Sequence, residues 1–138
     1  MSHYTEVKTI FKDRYCLVKA LEAVYGKGSV EIHTQGAALI GYRGDDRSKT
    51  SGANYAPPCN VIVRRQKIGQ ASNDIGFRWN DGRFDAYVSE YDAGAFKNKG
   101  LEQKYATLVV KKQAAILGYT VQETKEQNGV THLKLQQY

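Results

Sequence analysis

The chain has 138 residues, of which 41% are hydrophobic and 25% are charged, and its formal net charge at pH 7 is +6. This composition is too hydrophobic for a disordered chain, and the length suits one domain with its own core, so we expect a single domain over residues 1–138. No apolar run reaches the roughly 18 residues that span a bilayer, and the first residues lack the regions of a signal peptide. We therefore expect a cytoplasmic protein, or one in an equivalent reducing compartment, that does not bind membranes.

The first two elements have clear patterns. Alternating apolar and polar residues predict a strand over Tyr4–Phe11. Apolar residues at helical spacing predict an amphipathic helix over Arg14–Tyr25, with Asp13 as its N-cap and Gly26 just after its end. One face of this helix should pack on a sheet.

The next segment is weakly patterned. Val30–His33 and Ala38–Tyr42 are predicted as short strands that pair through a turn at residues 34–36. From Arg43 to Pro58 the chain has no periodicity and many turn residues. A loop of this length inside a compact domain is usually functional or disordered, so we single it out as the long loop (Arg43–Pro58).

A strand and a hairpin follow the long loop. Alternation predicts a strand over Cys59–Arg65. Asp81 and Gly82 supply the pair that a two-residue type I′ turn requires, and the apolar residues on both sides of it alternate on one face. The register that follows pairs Trp79 with Phe84, Arg78 with Asp85, Phe77 with Ala86 and Gly76 with Tyr87.

The end of the chain is predicted as a second hairpin. A two-residue turn would set Val121 against a polar residue, whereas a three-residue turn over residues 127–129 sets it opposite Leu135. We therefore predict the three-residue turn, with Gly129 in a left-handed conformation.

Between the two hairpins, Tyr91–Lys99 is predicted as a loop that carries glycine and lysine, and Leu101–Leu117 as a helix with a wide apolar arc. No βαβ repeat demands a parallel sheet. The predicted fold is therefore α+β, with a mostly antiparallel sheet of about six or seven strands and two helices packed on one face.

The residue types that bind metals or act as nucleophiles form no known motif. Cys16 and Cys59 are far apart and have no CxxC spacing, so we expect buried free thiols. The acids Asp45 and Asp46 lie together in a polar loop, where solvated charges are more common than an acid/base pair. No serine lies in a GxSxG elbow, and the histidines at positions 3, 33 and 132 lack metal-ligand spacing. We expect no cofactor, no metal and no catalytic residue.

A set of basic and aromatic residues is compatible with an anionic ligand. Guanidinium groups with interleaved aromatic rings suit phosphates and stacked nucleotides, although an antiparallel sheet or a protein interface carries the same residue types. The candidate ligand-binding residues are Tyr42, Arg43, Arg47, Lys49, Arg64, Arg65 and Arg78.

Three stretches resemble one known family: MSHYTEVKTIF, NDIGFRWNDGRFDAYV and LEQKYATLVVKKQAAILGYTV. They are similar to the small proteins first recorded as a hypothetical chloroplast reading frame, a domain of unknown function with plastid, cyanobacterial, other bacterial and viral members. The resemblance covers nearly the whole chain, but the long loop and the basic run at residues 64–67 depart from it. It implies an accessory role and brings no activity, cofactor or catalytic residue.

Three functions are compatible with these observations. We favour a non-catalytic cytosolic binding or accessory protein that uses its sheet edge or an open sheet face to bind a protein partner or a second copy of itself. The second is a protein that binds nucleic acid or a small nucleotide through Arg43, Arg47, Lys49, Arg64 and Arg65. The third is an enzyme of unrecognised type, which requires titratable groups that converge in a pocket.

The position of the long loop should separate the first two functions. If the loop folds over the sheet beside Arg64 or Arg78, an anionic ligand is favoured. If it extends into solvent, a protein contact is favoured.

Overall fold

The computed structural model describes residues 3–7, 10–125 and 131–137, and in them the chain forms strands and helices in an α+β arrangement. The strands are β1 (Tyr4–Val7), β2 (Val30–Ala37), β3 (Cys59–Val63), β4 (Ile75–Asn80), β5 (Arg83–Ser89), β6 (Tyr119–Lys125) and β7 (Thr131–Gln137). The helices are α1 (Arg14–Tyr25), α2 (Glu90–Asn98) and α3 (Leu101–Ile116). None of these helices is long and apolar enough to cross a membrane.

The strands divide between two antiparallel sheets. Strands β2 to β5 and the short edge strand β1 form one sheet in the order β1-β5-β4-β3-β2, and β6 pairs with β7. The predicted α+β class is confirmed. The prediction of one sheet of six or seven strands with two helices is wrong, because the last hairpin forms a sheet of its own within the described residues and a third helix is present.

Helix α2 replaces the loop that the sequence predicts at Tyr91–Lys99. Its N-cap, Ser89, accepts a hydrogen bond from the Asp92 N–H, and Glu90 and Asp92 place negative charge at the positive end of the helix dipole. Gly94 favours a loop, but one glycine in a helix costs only about 1 kcal/mol relative to alanine, so the capped first turn prevails.

Strand β2 replaces the two short strands that the sequence predicts over this region. Its pairing with β3 shifts register between Ile32 and Ala37, and Gly36 has a φ of 86°. A glycine in the left-handed conformation occurs in β-bulges as well as in turns. Here it forms part of a bulge, and the strand continues through the predicted turn. The predicted strand Ala38–Tyr42 contributes only an isolated bridge between Ile40 and Asp46.

The first strand ends at Val7, and residues 8 and 9 of its predicted range lie outside the described residues.

Three predictions of local structure are confirmed. Helix α1 has the predicted ends, and Asp13 Oδ1 accepts a hydrogen bond from the Cys16 N–H at 3.0 Å. The central hairpin has the predicted register throughout. In the last hairpin Val121 pairs with Leu135, as the three-residue turn requires, while the turn itself and the left-handed Gly129 lie outside the described residues.

The five-stranded sheet separates two apolar cores. Helices α1 and α3 cover one face, and the core there includes Phe11, Leu17, Leu21, Val61, Phe77 and Tyr105. The chain between β2 and β3 covers the opposite face, where Tyr4, Leu39, Ala56, Cys59 and Ile62 pack together. The open sheet face that we expect from the sequence is therefore covered by the chain between β2 and β3, which includes the long loop. Both cysteines are buried free thiols, as expected.

Candidate functional site

The long loop is folded over the sheet and lies beside both Arg64 and Arg78. The Arg64 guanidinium donates a hydrogen bond to the Ala38 carbonyl at 2.9 Å, and that of Arg78 donates to the Pro58 carbonyl at 2.7 Å. The two contacts hold the chain just before and at the end of the long loop. This is the position that favours an anionic ligand, but the two arginines are themselves engaged in holding the loop.

Arg47 is the buried centre of the long loop, with 1% of the residue exposed. Its guanidinium lies 5.0 Å from the centroid of the Tyr4 ring and donates to the Asn54 carbonyl and to Asn73 Oδ1. Its Nε lies 2.6 Å from Asp45 Oδ2 as a charge contact rather than a directed hydrogen bond. A buried guanidinium is tolerated when it is paired and hydrogen-bonded in this way, so Arg47 organises the loop.

Gly41 leaves room for this ion pair. A Cβ at residue 41 would lie 2.6 Å from both Arg47 Nε and Asp45 Oδ1, a distance that real Cβ atoms do not reach. The Gly41 N–H also donates to the Asp45 carbonyl at 2.9 Å. The glycine therefore lets the backbone approach the charged pair closely.

Asn73 and Asp74 lie at the centre of a buried polar network that joins the long loop to β5 and α2; we call it the Asn73–Asp74 network. Asn73 Oδ1 accepts from the Tyr42 N–H at 2.8 Å, its Nδ2 donates to Ser89 Oγ, and its backbone N–H donates to Asp92 Oδ2. The Ser89 hydroxyl also donates to Asp92 Oδ2 at 2.7 Å. The network fixes Tyr42 relative to the first turn of α2.

Asp74 holds the other end of the same network. Its Oδ1 accepts from the Arg65 N–H at 2.7 Å, and its Oδ2 accepts from the Ile40 N–H at 2.8 Å and from Arg64 Nη1 at 2.7 Å. Its carbonyl accepts a hydrogen bond from the Tyr4 hydroxyl at 2.5 Å. Burial, with a further contribution from the Asp74 charge, raises the pKa of Tyr4 well above its ordinary value.

Sequence reasoning singled out Tyr42, Arg64 and Arg65 but missed Asn73 and Asp74, the centre of this network. Polar residues before a strand look like an ordinary loop, and only the position of Asp74 directly before the apolar start of β4 could have suggested that it is buried. The partners of Asp74 are remote in the sequence, so no local pattern could have identified them.

Three of the seven candidate ligand-binding residues line one open pocket of about 620 Å³, which we call the Tyr42 pocket. It lies between the long loop and the first turn of α2. Tyr42 and Arg43 are on one side of it and Glu90 and Tyr91 on the other, and all four are exposed. Among the described residues the lining is Tyr42, Arg43, Asp45, Arg47, Ala71, Asn73, Glu90 and Tyr91.

The other four candidates lie elsewhere. Arg64 and Arg65 line a smaller pocket of about 380 Å³, and Lys49 and Arg78 line neither pocket. Arg64 is engaged by Glu31 as well as by Asp74, and its hydrogen bond lowers the pKa of Glu31. The role of all seven residues in ligand binding stays a prediction.

Arg65 connects the two pockets. Its guanidinium lies 5.5 Å from the centroid of the Tyr42 ring and donates to the carbonyls of Ser72 and Gln70. It therefore supports Tyr42 from the side of the smaller pocket.

A separate open groove of about 430 Å³ lies beside the edge strand β2; we call it the Trp79 groove. Trp79 is 48% exposed and Ile32 is exposed to a similar extent, and the Trp79 ring packs edge-to-face on Phe84 with the centroids 4.9 Å apart. In the part of the chain that the structure describes, the groove is lined by Lys12, Arg14, Ile32, His33, Thr34, Asn60, Trp79 and Phe84.

The sequence pattern gives no warning that Trp79 is exposed. It lies on the same face of β4 as the buried Ile75 and Phe77, but the last three residues of this strand are exposed and the first three are buried. The core ends before the tip of the hairpin. Nearness to the Asp81–Gly82 turn is the one signal that could have indicated this.

The fold is an α+β domain, and its described residues form the Tyr42 pocket, the smaller pocket at Arg64 and Arg65, and the Trp79 groove. Residues 29–133 match the sequence profile of the family described as Protein of unknown function (DUF1257). Because the match covers more than half of the chain, the protein belongs to this family, and the expected membership of a family of unknown function is confirmed. No curated protein and no solved structure matches the chain.

Proposed function

We propose that the protein is a non-catalytic binding or accessory protein that binds an acidic, extended segment of a protein partner at the Trp79 groove. The observation that carries the proposal is the exposure of Trp79 and Ile32 in one groove together with two basic residues, Lys12 and Arg14. No carboxylate is among the described residues that line this groove.

Tryptophan is enriched among the residues that dominate binding energy at protein interfaces, and half of this one is available to be buried. Lys12 and Arg14 are exposed, so they can attract negative charge on a partner and accelerate its association. The groove therefore combines an apolar anchor with a positively charged border.

The backbone of β2 adds a second means of recognition. Within the described residues β2 is the last strand of its sheet and pairs only with β3, so its outer edge can take an added strand. The register shift after Ile32 restricts regular pairing to Val30–Ile32, because a bulge interrupts the ladder. Side chains, rather than a long backbone ladder, should supply most of the affinity.

A different protein fits the groove better than a second copy of this chain. In a two-fold dimer about the β2 edge, Lys12 and Arg14 of both copies would lie near one another, and like charges would oppose the contact.

The proposal also includes a cytoplasmic location, which the buried free thiols support. It further includes membership of the hypothetical chloroplast reading-frame branch, which the three resembling stretches support.

The test uses the fluorescence of Trp79, which is the one tryptophan of the chain. The protein is titrated with a short synthetic peptide in which glutamate alternates with valine and leucine, and with a matched peptide that has lysine in place of glutamate. We expect the acidic peptide to shift the emission of Trp79 to shorter wavelengths, and this binding to weaken as salt is added.

Two variants separate specific from non-specific binding. Ile32→Ser should weaken the acidic peptide about fivefold, since burial of the exposed half of an isoleucine contributes roughly 1 kcal/mol. Ile116→Ser, at an exposed isoleucine of α3, is the matched control and should bind as the wild type does. Equal responses to the two peptides, or an unchanged affinity of Ile32→Ser, would refute the proposal.

The second candidate function is the binding of an anionic ligand, either nucleic acid or a small nucleotide. The observation that favours it is that Tyr42, Arg43 and Arg47 line one pocket. Its test is a steep fall of affinity with added salt. The third, an enzyme of unrecognised type, is supported only by the presence of Asp45 and Glu90 in the same pocket.

A further inference from the structure

We infer that the Tyr42 pocket binds a nucleoside monophosphate, with the base stacked on Tyr42 and the phosphate at Arg43. The inference rests on the second candidate function and names its ligand. It is independent of partner binding, because no residue that the structure describes lines both the Tyr42 pocket and the Trp79 groove. A volume of about 620 Å³ is in the range of pockets that bind small molecules, about 300–1,000 Å³.

Tyr42 is held in place as a platform for a planar group. The residue is 52% exposed, yet its backbone N–H is fixed by Asn73 and the Arg65 guanidinium lies over its ring. With Arg65 on one face, the exposed ring surface is left for a ligand. Aromatic rings of this kind stack bases of any sequence, and a ring that is already ordered loses little entropy on binding.

Arg43 is the group in the pocket that suits a phosphate. Of the five candidate arginines, Arg43 alone makes no hydrogen bond or ion pair within the described residues, whereas Arg47, Arg64, Arg65 and Arg78 are all engaged. It is exposed beside Tyr42, so its five donors are available to phosphate oxygens.

The opposite side of the pocket sets the orientation of the ligand. Glu90 is exposed there, and its carboxylate repels a phosphate but accepts hydrogen bonds from an amino group of a base or from a ribose hydroxyl. The phosphate is therefore directed towards Arg43 and the polar edge of the nucleoside towards Glu90.

The floor of the pocket shapes the site without adding net charge. Arg47 and Asp45 neutralise each other there, and Asn73 is already hydrogen-bonded to Tyr42 and Ser89. With only the rim free to contact the ligand, we expect binding in the micromolar to millimolar range.

The experiment is a calorimetric titration of the full chain with AMP, adenosine, ribose 5-phosphate and a short oligoadenylate. AMP should bind more tightly than adenosine or ribose 5-phosphate, because only AMP makes both contacts. Tyr42→Ala should weaken AMP roughly 5- to 100-fold, and Arg43→Gln about 10-fold. Tyr42→Phe keeps the ring and should bind AMP as the wild type does.

Tyr15→Ala and Lys27→Gln are the matched controls, since both residues are exposed and neither lines the pocket. They should leave AMP binding unchanged. Circular dichroism confirms that every variant is folded.

The outcomes distinguish this inference from the function on which it rests. If ribose 5-phosphate binds as tightly as AMP, or if Tyr42→Ala does not weaken AMP, the inference is overturned and an anionic ligand still stands. Binding of the oligoadenylate without binding of AMP overturns it in favour of nucleic acid. If no probe binds at millimolar concentration, both the inference and the second candidate function fall.

Discussion

Replacement of Asp74 by asparagine removes a negative charge from the Asn73–Asp74 network without a change in side-chain size. Asp74 is 1% exposed, and its carboxylate accepts hydrogen bonds from the Ile40 N–H, the Arg65 N–H and the Arg64 guanidinium. Asparagine keeps one acceptor oxygen but turns an NH₂ group towards the donors on the other side. At least one buried donor then loses its acceptor.

The magnitude follows from how many donors are lost. A buried donor without an acceptor costs about 1–3 kcal/mol, and a broken buried ion pair costs about 3–5 kcal/mol. Arg64 retains its ion pair with Glu31 at 3.1 Å. The ion pairing of Arg64 is therefore only partly lost, and the lower end of the range for a broken ion pair applies. We expect Asp74→Asn to reduce the free energy of unfolding by about 2–4 kcal/mol, and Asp74→Ala by more, because alanine removes the acceptor of all three donors.

Urea unfolding followed by far-ultraviolet circular dichroism measures this loss. The matched control is Asp81→Asn in the exposed turn of the central hairpin, where the φ of 48° suits asparagine as well as aspartate. The control should change the free energy of unfolding by less than about 0.5 kcal/mol. If Asp74→Asn costs no more than Asp81→Asn, the Asn73–Asp74 network does not hold the long loop and the reasoning is refuted.

Three further predictions concern the core. Gly76→Ala should cost about 1–3 kcal/mol of unfolding free energy in the same urea assay, because its Cβ would lie 2.6 Å from Cys59 Sγ and Leu39 Cδ2; an unchanged value would contradict the packing. Cys16 and Cys59 should not react with a thiol reagent at about pH 8 until denaturant is added. Both thiols are buried, and burial raises the pKa of Cys59 to about 12. Rapid reaction of the native protein would count against this prediction. Burial raises the pKa of Tyr25 from 10.0 to about 12, so its stabilising contribution is complete below pH 10 and is lost as the pH rises towards 12. Tyr25→Phe should flatten that alkaline decline in stability, and an equally steep decline in the variant would oppose it.

The parts of the fold that follow from the sequence are those that neighbouring residues decide. Helix α1 begins after Asp13 and ends before Gly26, because a cap and a terminating glycine act over one turn. The register of the central hairpin follows from Asp81 and Gly82, because a two-residue turn leaves no freedom in the pairing.

The sequence leaves the local structure ambiguous where one residue type is compatible with two structures. Gly36 allows a turn or a bulge, and only the pairing of β2 with β3 selects the bulge. Gly94 allows a loop or a tolerated helix position, and the cap at Ser89 selects the helix. The last hairpin pairs in the predicted register, but its own sequence does not decide which sheet it joins.

By itself, the sequence determines the α+β class, the first helix and the register of two hairpins, and it predicts a set of residues that would bind an anion. Only the tertiary structure decides which of those residues are available. Arg47 and Arg64 form ion pairs with carboxylates, whereas Arg43 is exposed at the Tyr42 pocket. It also leaves Trp79 exposed beyond the end of the core. The physical reason is that burial and ion pairing depend on residues remote in the chain, whereas the patterns that can be read along a sequence extend over a few residues.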